Sequence, residues 1–363
     1  MIQADDFVHM DRALAIAERG RGRTSPNPMV GAVVVSPDGR VLGSGYHERA
    51  GAPHAEVRAL QGVAERDLRG ATLYSTLEPC CHVGRTGPCV DRIEAAGIAR
   101  VVAAVEDPNP LVAGGGFAHL RAHGVEVDVG VRRRAATLQN RAFFTVIREG
   151  RPFVILKAAT STDGCLAAAP GVRTPITSEA SLRHAHAVRA EVDAIAVGSG
   201  TLLVDDPLLT VRHVYRARPF TRVVFDRRLR TRPDARVFST IGSGPVIICT
   251  SEAAVAGRPE RLEALVAAGA TIEPCDDLGH ALRRLAHHGI VSLLLDGGAL
   301  LHQAAWDADL VDYVQVYRAP MCIGEGGVRF LPGRQLLLAA LADGRTAACG
   351  PDVLVEGYVH RLD

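Results

Sequence analysis

Residues 78–89 read EPCCHVGRTGPC, which puts Cys80, Cys81 and Cys89, with His82, inside twelve positions. The other cysteines, Cys165, Cys249, Cys275, Cys322 and Cys349, stand singly and read as small buried hydrophobes. A cluster of this kind is a disulfide clasp, a nucleophile or a metal site, and the surrounding chain decides which. The N-terminal MIQADDFVHMDRAL opens acidic and becomes amphipathic, so no secretory leader is expected. No apolar run approaches the roughly 20 residues that span a bilayer. The expected setting is therefore cytoplasmic, where thiols stay reduced and a cysteine cluster binds metal or reacts rather than crosslinking.

Upstream, residues 52–60 read APHAEVRAL, so His54 and Glu56 stand two apart at the start of an expected helix over 54–63. H-x-E followed by Pro79-Cys80 and a further cysteine is the residue pattern of zinc-dependent deaminases. The chemistry accounts for the residue types. One neutral imidazole and two thiolates, from His54, Cys80 and Cys89, fill three corners of a Zn²⁺ tetrahedron. The fourth is left for water, whose pKa falls towards roughly 7. Glu56 is not a ligand in this reading; it is the catalytic proton carrier between water and the leaving amine. Each residue alone has an ordinary reading, His54 as a plain surface or core histidine and Glu56 as a solvated helix residue. Cys81 or His82 as a fourth ligand would instead close a structural zinc site. The four residues in order, in strand and helix context, favour the catalytic arrangement.

Around this pattern the chain of 363 residues is long enough for two cores, and 47% hydrophobic content supplies them. A formal net charge of +1 gives no sign of a nucleic-acid groove or a basic membrane patch. The spacing predicts a helix over 7–19 after the capping candidates Asp5 and Asp6, with Met10, Leu14 and Ala17 on one face. GAVVVSPDGRVLGSGYH (31–47) reads as a hairpin about a Pro-Asp-Gly turn. A strand over 71–77 follows, then a helix from Pro88 to Gly97, a strand over 99–107, and a last helix and strand. This alternation predicts a mixed sheet with helices on both faces. Residues 130–152 read as a helical connector. Beyond it a second alternating pattern predicts another wound α/β domain. Its strands are FVILKAAT, VDAIAVGSG, TRVVFD, PVIICT, ATIEPC, VSLLLDGG and VDYVQVY, with helices near 178–190, 258–268, 278–288 and 298–306.

The loop after Pro79 departs from the general deaminase pattern, because eight residues rather than two separate Cys80 from Cys89. In that respect it resembles the RibD family of bifunctional riboflavin-biosynthesis enzymes. SPNPMVGAVVV (25–35), GYHERAGAPHAEVRAL (45–60) and VVAAVEDPNPLVAGGGFAHLRAHGVEV (101–127) carry the same resemblance over the first 145 residues. It implies a zinc deaminase domain over 1–146 that acts on a diaminohydroxy-ribosylaminopyrimidinone 5′-phosphate. Asn27 and His47 would line its pocket, Arg85 would meet the phosphate, and Cys81 would be a non-ligand.

LKAATSTDG (156–164), VRAEVDAIAVGSGTLLVDDPLLTVR (188–212) and LLLDGG (293–298) extend the resemblance to the family's reductase half, here 147–363. Unaided, VGSGT and LLLDGG are glycine turns that suit phosphates, without the G-x-G-x-x-G of a standard dinucleotide module. The resemblance implies a dihydrofolate-reductase-like wound sheet and hydride transfer from NADPH to the ribose C1′. It places Lys157, Arg173, Arg189, Leu209, Arg212 and Asp296 on the substrate. Ala159, Pro175, Thr201, Asp205 and the run Gly298, Ala299, Leu300, Leu301, His302, Gln303 and Ala304 would contact NADPH. Arg173 stands for a usual serine, Pro175 for a tryptophan, Arg227 for a serine and Asp296 for a glutamate. The family further implies a homo-oligomer built on the reductase halves. A deaminase fused to a structural or inactive reductase-like domain is the alternative. A zinc-stapled binding module and a tRNA or nucleoside deaminase are the more remote ones.

Overall fold

The computed structural model describes residues 2–82, 87–216, 218–334, 336 and 338–360. The chain divides at Glu149/Gly150 into two compact units.

The first unit carries strands β1 (Gly31–Val35), β2 (Val41–Tyr46), β3 (Thr72–Ser75), β4 (Arg100–Ala103) and β5 (Glu126–Val129) in the order β2-β1-β3-β4-β5. Antiparallel pairing joins β2, β1 and β3, and parallel pairing joins β3, β4 and β5, so the sheet is mixed. All five residues of β1 are buried, which is why GAVVV reads as an unbroken apolar run rather than an alternation. Its helices are α1 (Ala4–Ala17), α2 (Ala55–Leu60), α3 (Glu65–Leu68), α4 (Cys89–Ala95), α5 (Gly115–Ala122), α6 (Arg133–Gln139) and α7 (Arg141–Glu149).

Helix α1 starts three residues ahead of the expected point. Gln3 is its N-cap, and a capping box with Asp6 draws both acidic residues into the first turn. Residues 130–152 are more than a connector. Asn140 breaks them into α6 and α7, and Ala136 and Phe144 are buried in the first unit's core. The Asn140 side chain accepts a hydrogen bond from the Met29 N–H (2.7 Å) and donates one to the Met29 carbonyl (2.8 Å).

Helix α2 lies directly on β2, and glycine makes that approach possible. A Cβ on Gly43 would sit 2.2 Å from the Ala59 carbonyl oxygen, and one on Gly45 would sit 2.7 Å from that of Ala55. The sequence GSG thus fixes how far α2, and the residues at its start, stand from the sheet.

The second unit is built on a nine-stranded sheet. Its strands are β6 (Phe153–Thr160), β8 (Ala194–Gly198), β9 (Thr221–Phe225), β10 (Val246–Thr250), β11 (Ala270–Pro274), β12 (Ser292–Leu295), β13 (Tyr313–Arg318), β15 (Ala342–Cys349) and β16 (Asp352–Tyr358). The order is β11-β10-β9-β8-β12-β6-β13-β16-β15. The first seven are mutually parallel, and β16 and β15 close the sheet antiparallel. A separate pair joins β7 (Cys165–Ala167) to β14 (Val328–Arg329). The helices α8 (Glu179–Glu191), α9 (Ser199–Asp205), α10 (Glu252–Gly257), α11 (Pro259–Ala267), α12 (Leu278–His287) and α13 (Ala299–Asp307) complete the wound α/β arrangement. Parallel β8, β12 and β6 are neighbours, so their C-terminal ends share one edge, where ligands of open α/β sheets bind.

Candidate active sites

In the first unit, His54 is the N-cap of α2, with extended backbone (φ −70°, ψ 163°), whereas Glu56 lies in the helix's first turn. Cys80 follows β3, and Cys89 is the first residue of α4. These elements bring the three donors together. Nδ1 of His54 lies 3.2 Å from the Cys89 sulfur and 3.4 Å from the Cys80 sulfur, and all three atoms lie within 4.8 Å of one another. Donors about 2.0–2.3 Å from one tetrahedral zinc are about 3.3–3.8 Å apart, so the set fits that ion. The Cys89 backbone N–H also points at the Cys80 sulfur (3.4 Å).

The three donors are electrostatically coupled, with Cys80 at the centre of the sharing. Its hydrogen bond with Cys89, and then that with His54, lowers the Cys80 thiol to about 4. The same sharing pushes the Cys89 thiol up, and the bond to Cys80 raises His54. Cys81 is not among the converging donors; its sulfur faces Gly115 at the start of α5. Glu56 is buried, and its carboxylate accepts from Ser75 Oγ (3.3 Å) and Cys89 Sγ (3.5 Å). Burial pushes that carboxyl up.

Asn27 and His47 are part of the same neighbourhood. The Asn27 amide lies 3.1 Å from His47 Nε2, and the His47 ring meets the His54 ring edge-on at 5.5 Å. Burial lowers the His47 pKa and so favours a neutral ring. Arg85 lies outside the described residues.

Glu78 had no assigned part, yet it organises the loop beside the site. It is buried, and its two oxygens accept backbone N–H groups of Asp107 (3.2 Å), Gly114 (3.0 Å), Gly116 (2.9 Å) and Phe117 (3.2 Å). It therefore neutralises the orphan donors at the start of α5. Local sequence carries no signal for this part, because the donors it accepts lie 29 to 39 residues further along the chain.

In the second unit, Asp296 follows β12, Lys157 lies on β6 and Arg189 on the last turn of α8. Lys157 Nζ is 3.0 Å from one Asp296 oxygen, and Arg189 pairs with the other. Burial would raise Asp296, but Lys157 and then Arg189 hold it well below the usual carboxylate range. Ala159, two residues after Lys157, faces the same side of β6. The Arg212 N–H donates to His186 Nδ1 (3.1 Å), and burial, with Arg189 and Arg212, lowers His186 to about 4. Asp205 feels both the Arg173 and the Asp296 charges, while burial raises its pKa.

The glycine turns after β8 and β12 meet at Thr201. Cβ atoms on Gly297 or Gly298 would each lie 3.3 Å from Thr201 Oγ1, and one on Gly198 would lie 3.6 Å from Leu301. VGSGT is thus more than a turn, because α9 begins at Ser199. His302 is buried, accepts the Gly297 N–H (3.2 Å) and is lowered to about 4 by burial. Ala299, Leu301 and Gln303 are half-buried, Ala304 is exposed, and Leu300 is 84% exposed at the helix start. Leu209 is buried in the left-handed region (φ 53°), between Asp206 (φ 40°) and His213 (φ 68°), a run of strained positions typical of sites. Arg173 and Pro175 are exposed, and no described contact joins Pro175 to the other residues.

Comparison with known proteins bears on both halves. A family model for the cytidine and deoxycytidylate deaminase zinc-binding region matches residues 3–105, and one for the RibD C-terminal domain matches 152–355. The riboflavin biosynthesis protein RibD of Aquifex aeolicus is 42% identical over 329 residues, 90% of this chain and 90% of that one. Its Escherichia coli counterpart is 39% identical over 354 residues, 92% of this chain and 94% of that protein. Among solved structures, Acinetobacter baumannii RibD superposes with a TM-score of 0.84 at 33% identity, covering 97% of this chain and 98% of that one. A deaminase/reductase structure from Thermotoga maritima gives 0.82 at 34% identity, covering 97% of each. With a zinc-fitting donor set in one unit and a reductase fold in the other, the chain belongs to the RibD family of bifunctional riboflavin-biosynthesis enzymes, a zinc deaminase joined to an NADPH-dependent reductase.

Proposed function

We propose that the first site deaminates 2,5-diamino-6-ribosylamino-4(3H)-pyrimidinone 5′-phosphate and that the second reduces the ribosylamino product to its ribitylamino form. The observation that carries this reading is the convergence of His54, Cys80 and Cys89 with Glu56 buried beside them. The Thermotoga maritima structure, described as a diaminohydroxyphosphoribosylaminopyrimidine deaminase and 5-amino-6-(5-phosphoribosylamino)uracil reductase, supports the choice of substrate.

His54, Cys80 and Cys89 hold the zinc, which when bound supplies a Lewis acid that makes water nucleophilic near neutral pH. Glu56 takes a proton from the attacking water and delivers it to the departing amine, so that one water is consumed and one ammonia leaves. Its hydrogen bonds with Ser75 and Cys89 hold the carboxylate beside the donors for this exchange. Asn27 and neutral His47 orient the pyrimidine and ribose.

In the second site NADPH, when bound, supplies hydride to the imine carbon of the ring-opened ribose. Lys157, held by Asp296, stabilises charge and delivers a proton at the imine nitrogen, while Arg189 and Arg212 take the 5′-phosphate. Thr201, Asp205 and the glycine turn at 297–298 cradle the cofactor, with Ala159 and the start of α13 against it. Arg173 extends the phosphate contacts of this site, as Arg85 does for the substrate phosphate in the first site. Pro175 borders the cofactor.

The reading includes a cytoplasmic setting, which a zinc site needing two reduced cysteines supports. Among the described residues no helix is long and apolar enough to cross a membrane. It also includes association of chains through the reductase half, where the mostly exposed β15 is the last strand of the sheet. Sedimentation of the purified protein tests that part. The activity test is to supply the diaminopyrimidinone phosphate with NADPH and follow both products. One ammonia and one oxidised cofactor per substrate are expected. Ammonia without cofactor oxidation would overturn the reductase assignment, and neither would overturn both.

A further inference from the structure

We propose that Glu94, His119 and His123 form a second metal site on the first unit, suited to a borderline transition-metal dication such as Zn²⁺, Co²⁺ or Ni²⁺. His119 lies on α5 and His123 follows one turn later. The His123 N–H donates to the His119 carbonyl (3.2 Å), so both imidazoles share one helix face. Their rings stack at 4.3 Å with 25° between planes. Glu94, on α4, reaches across to place Oε2 3.4 Å from His119 Nε2. One donor atom from each residue lies within 4.8 Å of the others, and the three share no residue with the cysteine site.

A second feature points the same way. Nδ1 of His123 lies 2.8 Å from the His119 carbonyl oxygen, so Nδ1 carries the proton and Nε2 is left as donor. Metal-binding imidazoles are held by this kind of outer bond. Two imidazoles and a carboxylate suit zinc, cobalt, nickel or copper and do not suit Mg²⁺ or Ca²⁺, which prefer all-oxygen sets. His119 and Glu94 keep 31% and 42% of their side-chain surface exposed, so an ion enters from solvent and completes its shell with water.

The position gives the site a structural effect. Helix α4 opens with the ligand Cys89, and the start of α5 is held by Glu78, two residues before Cys80. An ion joining Glu94 to His119 and His123 therefore ties together the two helices that flank the cysteine loop.

The experiment uses the full-length protein without a histidine tag, stripped and then dialysed against micromolar free Zn²⁺. Two zinc ions per chain are expected for the wild type. One is expected for the double variant His119→Gln/His123→Gln, with ammonia release unchanged. The second equivalent of zinc should raise Tm in the wild type and leave the double variant unmoved. Glu94→Gln should weaken the second equivalent about tenfold or more. A wild type that saturates at one zinc, or a double variant that still takes two, would overturn the proposal. The same holds if the second equivalent shifts Tm equally in both. Repeating the titration on Cys80→Ser separates the two sites, because only the histidine site should then remain.

Discussion

In the proposed mechanism Glu56 and the three donors do different work, and single substitutions should separate them. Glu56→Gln keeps shape and removes the proton carrier. Ammonia release is expected to fall by about 10²–10⁴-fold with zinc content unchanged, measured by metal analysis on the assayed sample. Reduction of the deaminated intermediate should continue at the wild-type rate. In the other unit, Asp296 balances two cations in a confined space. Asp296→Asn removes that balance, leaves Lys157 and Arg189 facing each other, and should cost on the order of 3 kcal/mol. NADPH oxidation should be lost while ammonia release survives, and thermal melting would report the destabilisation.

Among the elements, α5 and its preceding loop depend on one carboxylate. Glu78→Gln turns an NH₂ group towards backbone N–H donors, so about 1–3 kcal/mol should be lost. Hydrogen exchange in residues 107–117 would show whether the loss is local to that loop. These element-level facts also mark where the sequence stops being readable. The meeting of His54, Cys80 and Cys89, with Glu56 beside them, was legible because the H-x-E, P-C and Cys pattern admits few residue types at few spacings. Glu78 was not, because capping backbone donors leaves no periodic trace and any buried acceptor serves. The same holds for β15 and β16, absent from the sequence reading. Edge strand β15 is mostly exposed and polar, so ADGRTAAC lacks the apolar run that betrayed β6, β8 and β12. Helices α6 and α7 read as one connector because the contact that breaks them, Asn140 to Met29, spans 111 residues and is invisible locally.

Over the whole molecule, pH and metal supply act on different things. Asp6 on α1 joins Tyr74 on β3 (2.8 Å) and Arg100 on β4 (2.8 Å), and Arg100 also holds Asp128 on β5 (2.6 Å). Burial opposes ionisation of Asp6, but bonds from Arg100, the Gln3 N–H and Tyr74 lower it to about 2 from an ordinary 3.8. A folded pKa below the unfolded one means stability that is complete above about pH 4 and drains away as pH falls towards 2. Arg100→Met should therefore cost on the order of 3 kcal/mol at pH 7, with the gap to wild type closing between pH 4 and pH 2 in melting experiments. Removal of zinc by a chelator should halt ammonia release and leave reduction of supplied deaminated intermediate intact, because each unit holds its own reacting groups. A chelator that stopped both would overturn that independence.

His54 stands just outside α2 in extended backbone, and Glu56 stands inside its opening turn. Occupancy and competence are therefore separable quantities in this enzyme. Fraying of that single turn would carry the carboxylate off while the imidazole and both sulfurs kept their grip on the ion. A fully metallated sample can then contain dead molecules, and the working fraction is better counted by ammonia released in a single turnover than by zinc per chain.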